Sequence, residues 1–195
     1  MEKQIVVIAG PSGGGKNTII QEIMRQCPNC TLLVTATTRL PRPGEVDGVD
    51  YYFFSERKFQ LELAKGNILE HRYIEKLGTH YGVYKPDLEA RLQKGHIVLA
   101  HLDIIGAKFL KEKYNATTIF ILPLSHEELF ERIRSRNPSM TPEELGERMR
   151  IAGEEITDHA PLYDYRVINA TGKLLDSVNE TMAILKKEGY NLGVV

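Results

Sequence analysis

The 195-residue chain predicts an α/β fold, a parallel sheet core flanked by helices. Three observations carry this: short apolar runs recur along the chain, helix-period stretches alternate with them, and the first run enters a glycine turn that opens a helix. Ile5-Val-Val-Ile-Ala has no polar residue, as a strand covered on both faces requires, and gives a strand over 4–9 followed by a helix over 16–26. Leu32-Leu-Val-Thr35 gives a second strand, 32–35. Helices at 57–65 and 85–94 precede the run Ile97-Val-Leu-Ala100, which places a strand at 96–102. Asp103 then caps a helix at 104–113, and Thr117-Thr-Ile-Phe-Ile-Leu122 forms the strand 117–122. Ser125 and Thr141 open helices at 126–136 and 142–158, and Tyr165-Arg-Val-Ile-Asn169 forms the last strand before a helix at 173–187. Two regions break the rhythm. Residues 36–84 are rich in Arg, Tyr, Gly and Pro, while 133–150 are charged, with Asn137-Pro138 and Thr141-Pro142 marking a turn; both read as lobes on one core.

Composition restricts the function classes. With 42% hydrophobic and 26% charged residues the chain builds one ordinary core, and the formal charge of -1 offers no global attraction to nucleic acid or an anionic membrane. Phosphate must therefore be recognised locally. The N-terminal apolar run is too short for a signal sequence and no 18-residue apolar segment occurs, so a cytoplasmic location is expected. Cys27 and Cys30 have the spacing of half a zinc site, but no second cysteine pair completes it, and reduced loop thiols are the simpler expectation.

The turn after the first strand reads Gly10-Pro11-Ser12-Gly13-Gly14-Gly15-Lys16-Asn17-Thr18. Glycines let the backbone turn tightly and aim its N–H groups at phosphate oxygens, the following helix adds its positive end, and Lys16 reaches the outer phosphates. This is a phosphate-binding loop, and a nucleoside triphosphate is its expected ligand. The usual pattern places Ser or Thr after the Lys as a magnesium ligand; Asn17 stands there instead, and the next hydroxyl is Thr18.

A second motif runs Thr37-Thr38-Arg39-Leu-Pro41-Arg42-Pro-Gly44-Glu45-Val-Asp-Gly48-Val-Asp50-Tyr51. At every fixed position it resembles the guanylate kinase motif Thr-Thr-Arg-x-Pro-Arg-x-Gly-Glu-x-x-Gly-x-Asp-Tyr. The likeness extends through Ile68-Leu-Glu70, Tyr81-Gly82, the strand ending at Asp103 with Gly106 beyond, the arginines after 130, and Val167-Ile-Asn169. It implies a kinase that moves the terminal phosphate of ATP to GMP or dGMP with magnesium. It also implies a division into a core (1–34, 86–125 and 156–195), a nucleoside monophosphate lobe (35–85) and a lid (126–155).

The roles the resemblance implies agree with the residues' chemistry. Arg39 and Arg42, with the hydroxyls of Tyr51 and Tyr81, suit a dianionic monophosphate. A carboxylate at Glu70 accepts the N1–H and exocyclic amino donors of guanine, which adenine does not present together; Thr35 and Asp103 fall at positions for the rest of the purine edge. Val83 departs, because the family usually has Ser or Thr after Tyr-Gly. Arg132 and Arg136 share a helix face by their spacing and, with Arg148, are the expected lid cations that steady the migrating phosphoryl group; Arg134 and Arg150 fit a solvated face. Asn169 is expected against the adenine of ATP.

Two departures fall near the metal. The family usually has Asp-x-Asp where this chain reads His101-Leu102-Asp103, and Asn17 replaces a hydroxyl. Asn17 still offers a carbonyl oxygen to magnesium, and His101 can hold a water or bond Asn17. Two other readings use the same motifs: a nucleotide-binding module without catalysis, and a kinase for another phosphorylated acceptor.

Overall fold

Every residue of strand β1, Ile5–Ala9, is buried, because helices cover both faces of the sheet it centres. The computed structural model describes residues 3–193. Five parallel strands lie in the order β2 (Cys30–Leu32), β7 (Ile97–Ala100), β1, β8 (Thr117–Pro123) and β9 (Tyr165–Asn169). Val6 and Ile8 pack with α1 (Lys16–Gln26) and α7 (Leu174–Lys187), while Ile5 and Val7 pack with α3 (Lys85–Gln93) and α4 (Ile104–Tyr114). The chain passes from β1 toward β2 on one side and returns to β8 on the other. The crevice at the carboxyl end of β1 is thus the switch point where open α/β sheets bind ligands.

A second sheet, absent from the sequence-based expectation, lies between residues 36 and 84. It has the order β4 (Tyr52–Phe53), β3 (Ala36–Thr37), β6 (Thr79–Tyr84) and β5 (Ile68–Ile74). It forms one wall of the crevice, with α2 (Glu56–Ala64) packing Phe59 beneath it. Near the other end of the crevice stand α5 (His126–Arg136) and α6 (Pro142–Glu154), held together by Leu129, Ile133, Leu145 and Ala152. Thr141 caps α6 in a full capping box with Glu144.

Three boundaries differ from expectation for physical reasons. The strand expected at 32–35 spans Cys30–Leu32, because the chain turns off the sheet where Val34 N–H donates to buried Asp87 at 3.0 Å. The strand expected at 96–102 stops at Ala100, which frees His101-Leu102-Asp103 as a loop into the crevice, with Asp103 capping α4. The helix expected at 142–158 is α-helical to Glu154 and continues as a π turn over Glu155–His159. Such wide turns reorient a chain without breaking its hydrogen bonding.

Candidate active site

The glycine turn joins β1 to α1, and its glycines are dictated by contact as well as by conformation. Gly10 has φ 144°, and a Cβ there would lie 2.4 Å from the Ile121 carbonyl oxygen; Gly15 has φ 90°, and its Cβ would meet Asn169 Nδ2 at 2.1 Å. No side chain fits either place. Lys16 folds back over the turn, donating to the carbonyl oxygens of Gly10 at 2.5 Å and Pro11 at 2.8 Å. Burial, opposed by the Glu155 carboxylate and assisted by Arg136, lowers its pKa to about 8, so at neutral pH it remains a cation. An arriving phosphate competes for a charge that is already poorly solvated.

Asn169, at the end of β9, lies beside this turn with only 6% exposure. Its Nδ2 donates to Gly14 O at 2.9 Å and its Oδ1 accepts weakly from Ser177 Oγ at 3.4 Å. Through these two bonds the side chain braces the turn. It still borders an open cavity of about 280 Å³, together with Gly13, Gly15, Thr18, Arg132 and Arg136. Arg132 is fixed there by donation from Nη2 to Asn169 O at 2.7 Å and to Glu128 at 3.0 Å, while its buried Nη1 has no hydrogen-bond partner among the described residues. Such an orphaned donor asks for an anion.

On the other side of Lys16, a pocket of about 180 Å³ gathers Thr35, Tyr51, Glu70, Tyr81 and Asp103, five residues from four separate stretches of sequence. Burial and the Asp103 charge, opposed by Arg72, raise the Glu70 pKa to about 7. Tyr51 and Tyr81 meet edge to face at 6.0 Å, and burial raises the Tyr51 pKa. Arg39 lies over the Tyr51 ring at 5.4 Å and is gripped by Glu45 through two bonds of 2.9 Å, which raise the Arg39 pKa and lower that of Glu45. Glu45 also accepts from the backbone N–H of Arg42 at 2.6 Å, so this one carboxylate grips the Arg39 guanidinium and fixes the turn that carries Arg42. Val83 does not line the pocket; it is fully buried in the apolar cluster with Leu88 and Ala107.

An adjoining cleft of about 390 Å³ shares Thr35, Tyr51 and His101 with that pocket and reaches Asn17 and Arg42. Asn17 and Thr18 consequently face different cavities. His101 opens onto the cleft yet is ringed by its walls, and this enclosure with the nearby Lys16 charge lowers its pKa to about 4. It is neutral at pH 7. His101 and Asn17 share the cleft without a direct hydrogen bond. Among the described residues no three His, Cys, Asp or Glu side chains converge as a metal site.

Arg136 lies at the cavity mouth. Arg148, on α6, is exposed and borders a wide cleft of about 960 Å³ with Leu77 and Ile151, apart from both pockets. Arg150 is held by Glu147 at 2.8 Å and pairs also with Glu154, as befits a solvated face. Cys27 and Cys30 are free and buried, with Cys27 Sγ against Leu192 O at 3.1 Å. Sequence reasoning overlooked three contributors. Glu45 was visible only as a motif letter, Glu155 lay inside an expected helix, and Arg72 belongs to a strand that was not expected.

The likenesses to known proteins agree with this layout. The guanylate kinase family model matches residues 2–188. A guanylate kinase of Clostridium perfringens is 42% identical over 94% of this chain and 83% of its own length, and one from Desulfitobacterium hafniense is 38% identical over 85% and 81%. The crystal structure of guanylate kinase from Anaplasma phagocytophilum superposes with a TM-score of 0.70 at 29% identity, covering 96% of this chain and 87% of that one. A phosphate turn at a sheet switch point, two pockets flanking one lysine and a family match over nearly the whole chain lead to one statement: the chain belongs to the guanylate kinase family.

Proposed function

We propose that the chain transfers the terminal phosphoryl group of ATP to GMP or dGMP, giving ADP and GDP or dGDP. The observation that carries this reading is the base-sized pocket that places Glu70 beside Thr35, Tyr81 and Asp103, opening into the cleft next to the phosphate turn. Glu70 accepts the paired donors of guanine. Arg39, Arg42, Tyr51 and Tyr81 take the monophosphate, within a lobe assigned to residues 35–85. ATP lies along the cavity lined by Gly13, Gly15 and Thr18, with its outer phosphates on Lys16 and on the free Arg132 Nη1.

An oxygen of the GMP phosphate attacks the terminal phosphorus in line. The new P–O bond forms as the bond to the bridging oxygen of ADP breaks, and that oxygen keeps the electron pair. Charge spreads over the migrating group, so what the protein must supply is fixed cations: Lys16, Arg132, Arg136 and, from the lid assigned to 126–155, Arg148. Removing water from this region strengthens each of these contacts.

Magnesium suits this donor set as an ion carried largely by phosphate and water. The protein offers a hard oxygen from Asn17, in the cleft where neutral His101 can hold a coordinated water. When bound, the ion neutralises the phosphate charge. A cytoplasmic location is proposed with this function; no helix among the described residues is long and apolar enough to cross a membrane.

The test is a coupled assay with ATP and magnesium in which GMP, dGMP, AMP, CMP and UMP are compared. GMP and dGMP should exceed AMP by on the order of a hundredfold, since an unmatched buried carboxylate is costly. Equal use of AMP and GMP would overturn the base assignment. Nucleotide binding without turnover would establish the binding-module reading that Asn17 and His101 favour.

A further inference from the structure

Guanine presents more than the two donors that Glu70 can accept. Its O6 and N7 are acceptors on the adjoining edge, and leaving them dry in a pocket would cancel much of what Glu70 contributes. A hydroxyl at position 83 would be one source of a donor, but Val83 has none and is buried away from the pocket. The donor must come from elsewhere in the lining.

Thr35 offers one hydroxyl there, and strand β5 brings a stronger, charged donor to the same pocket. Glu70, Arg72 and Ile74 are spaced by two and all three line the pocket, as the pleat of a strand requires. Arg72 stands directly opposite Tyr81 in the antiparallel ladder, and Tyr81 lines the same pocket. The guanidinium is tethered at one nitrogen, with Nη1 donating to Asp103 Oδ2 at 2.8 Å, while Asp103 Oδ1 is itself anchored by Ile105 N–H at 3.0 Å and Gly106 N–H at 3.2 Å. Among the described residues its other N–H groups have no partner, and no other guanidinium or ammonium lines this pocket. As a surface ion pair the Arg72–Asp103 contact contributes little, since the two side chains are 55% and 39% exposed. Its geometry makes more sense as a bracket. Asp103, fixed by the helix end, holds one corner of a planar five-donor fork at the rim of a base pocket.

We propose that Arg72 is a specificity-determining residue that donates to the O6 and N7 edge of the acceptor base, adjoining the edge read by Glu70. Arginine matches that acceptor pair in geometry, as it does when it reads guanine elsewhere. The inference rests on GMP being the acceptor. It adds that discrimination against adenine has two sources: adenine carries an amino donor at position 6, which meets the Arg72 donors head on.

The experiment compares wild type, Arg72→Ala and Arg72→Gln with GMP, 7-deaza-GMP, which lacks N7, and 6-thio-GMP, which has a poor acceptor at position 6. Wild type should prefer GMP to at least one analogue by on the order of tenfold. Arg72→Ala should lower kcat/KM for GMP by about 10- to 100-fold, mainly through KM, with the KM for ATP unchanged. Its preference for GMP over that analogue should collapse to within about twofold, and Arg72→Gln, a neutral donor, should retain part of it. A uniform loss for GMP and both analogues would mean that Arg72 only neutralises Glu70 and Asp103, and would overturn the proposal. So would GMP kinetics within twofold of wild type. Absence of GMP turnover in wild type would instead remove the functional reading itself, so the two failures are distinguishable.

Discussion

Burial and the Asp103 carboxylate hold the Glu70 pKa at about 7, so near neutrality the empty pocket holds a mixture of acid and carboxylate. Only the carboxylate accepts two guanine donors at once. GMP affinity should therefore fall as pH drops through about 7 and level off above it, the sign expected when a ligand selects the deprotonated form of a group whose pKa is raised. Glu70→Gln should weaken GMP binding at every pH and flatten this profile while leaving ATP binding intact. Isothermal titration with GMP from pH 5.5 to 8.5 checks both; a wild-type profile as flat as that of Glu70→Gln would remove Glu70 from the base contact. Lys16 and Arg39 divide differently. Arg39 is locked to Glu45 in the proposed acceptor lobe, so Arg39→Ala should raise the KM for GMP and spare that for ATP, whereas Lys16→Ala should depress kcat. Steady-state kinetics that showed Arg39→Ala weakening ATP and sparing GMP would mean that the two nucleotide sites are exchanged.

At the scale of elements, the core was legible because its signals are local. A strand covered on both faces must be apolar throughout, and Ile5–Ala9 is; Asp103, Ser125 and Thr141 each cap the helix that follows them. The β5–β6 hairpin was not legible. Its residues alternate in a lobe where one face opens onto a pocket rather than the core, so Glu70, His71, Arg72 and Tyr73 show no apolar period. Its tip is a 3₁₀ turn over Glu75–Leu77, and its register shifts between Ile68 and His71, both outside the short-hairpin pattern. The role of Asn169 was hidden for another reason, since its partner Gly14 is 155 positions away. That bond ties the edge strand β9 to the phosphate turn. Asn169→Ala removes it and orphans the buried Gly14 carbonyl, which should cost about 1–2 kcal/mol. For a chain of this size that lowers Tm by roughly 3–6 °C, and the KM for ATP should rise with it. Calorimetry and ATP kinetics on the same variant check the pair. An unchanged Tm would show that the turn stands without its brace.

At the scale of the whole molecule, the five expected acceptor-pocket residues that meet around Glu70 come from four separate stretches, and motif resemblance assembled them where periodicity alone could not. The expected lid arginines are less complete, because Arg148 lies across a cleft of about 960 Å³ from the turn that carries Leu77. The surfaces bordering that cleft are poorly matched to water. Leu77 is 58% exposed on one side and Ile151 42% exposed on the other, each an apolar side chain whose burial contributes up to about 1.5–3 kcal/mol. Closing the cleft would cover them and carry Arg148 toward the phosphates, but cations drawn together repel until anionic nucleotides occupy the space between. Closure should therefore need both ligands. Spin labels on Leu77→Cys and Ile151→Cys, with the native thiols buried, should report a shorter and narrower distance in the presence of GMP plus a non-hydrolysable ATP analogue than with either alone. Arg148→Ala should keep both KM values near wild type and lower kcat, because its contact exists only in the closed transition state. A label distance that stayed constant with both nucleotides bound, or an Arg148→Ala variant of full turnover, would show that transfer proceeds with this cleft open and that Lys16, Arg132 and Arg136 suffice.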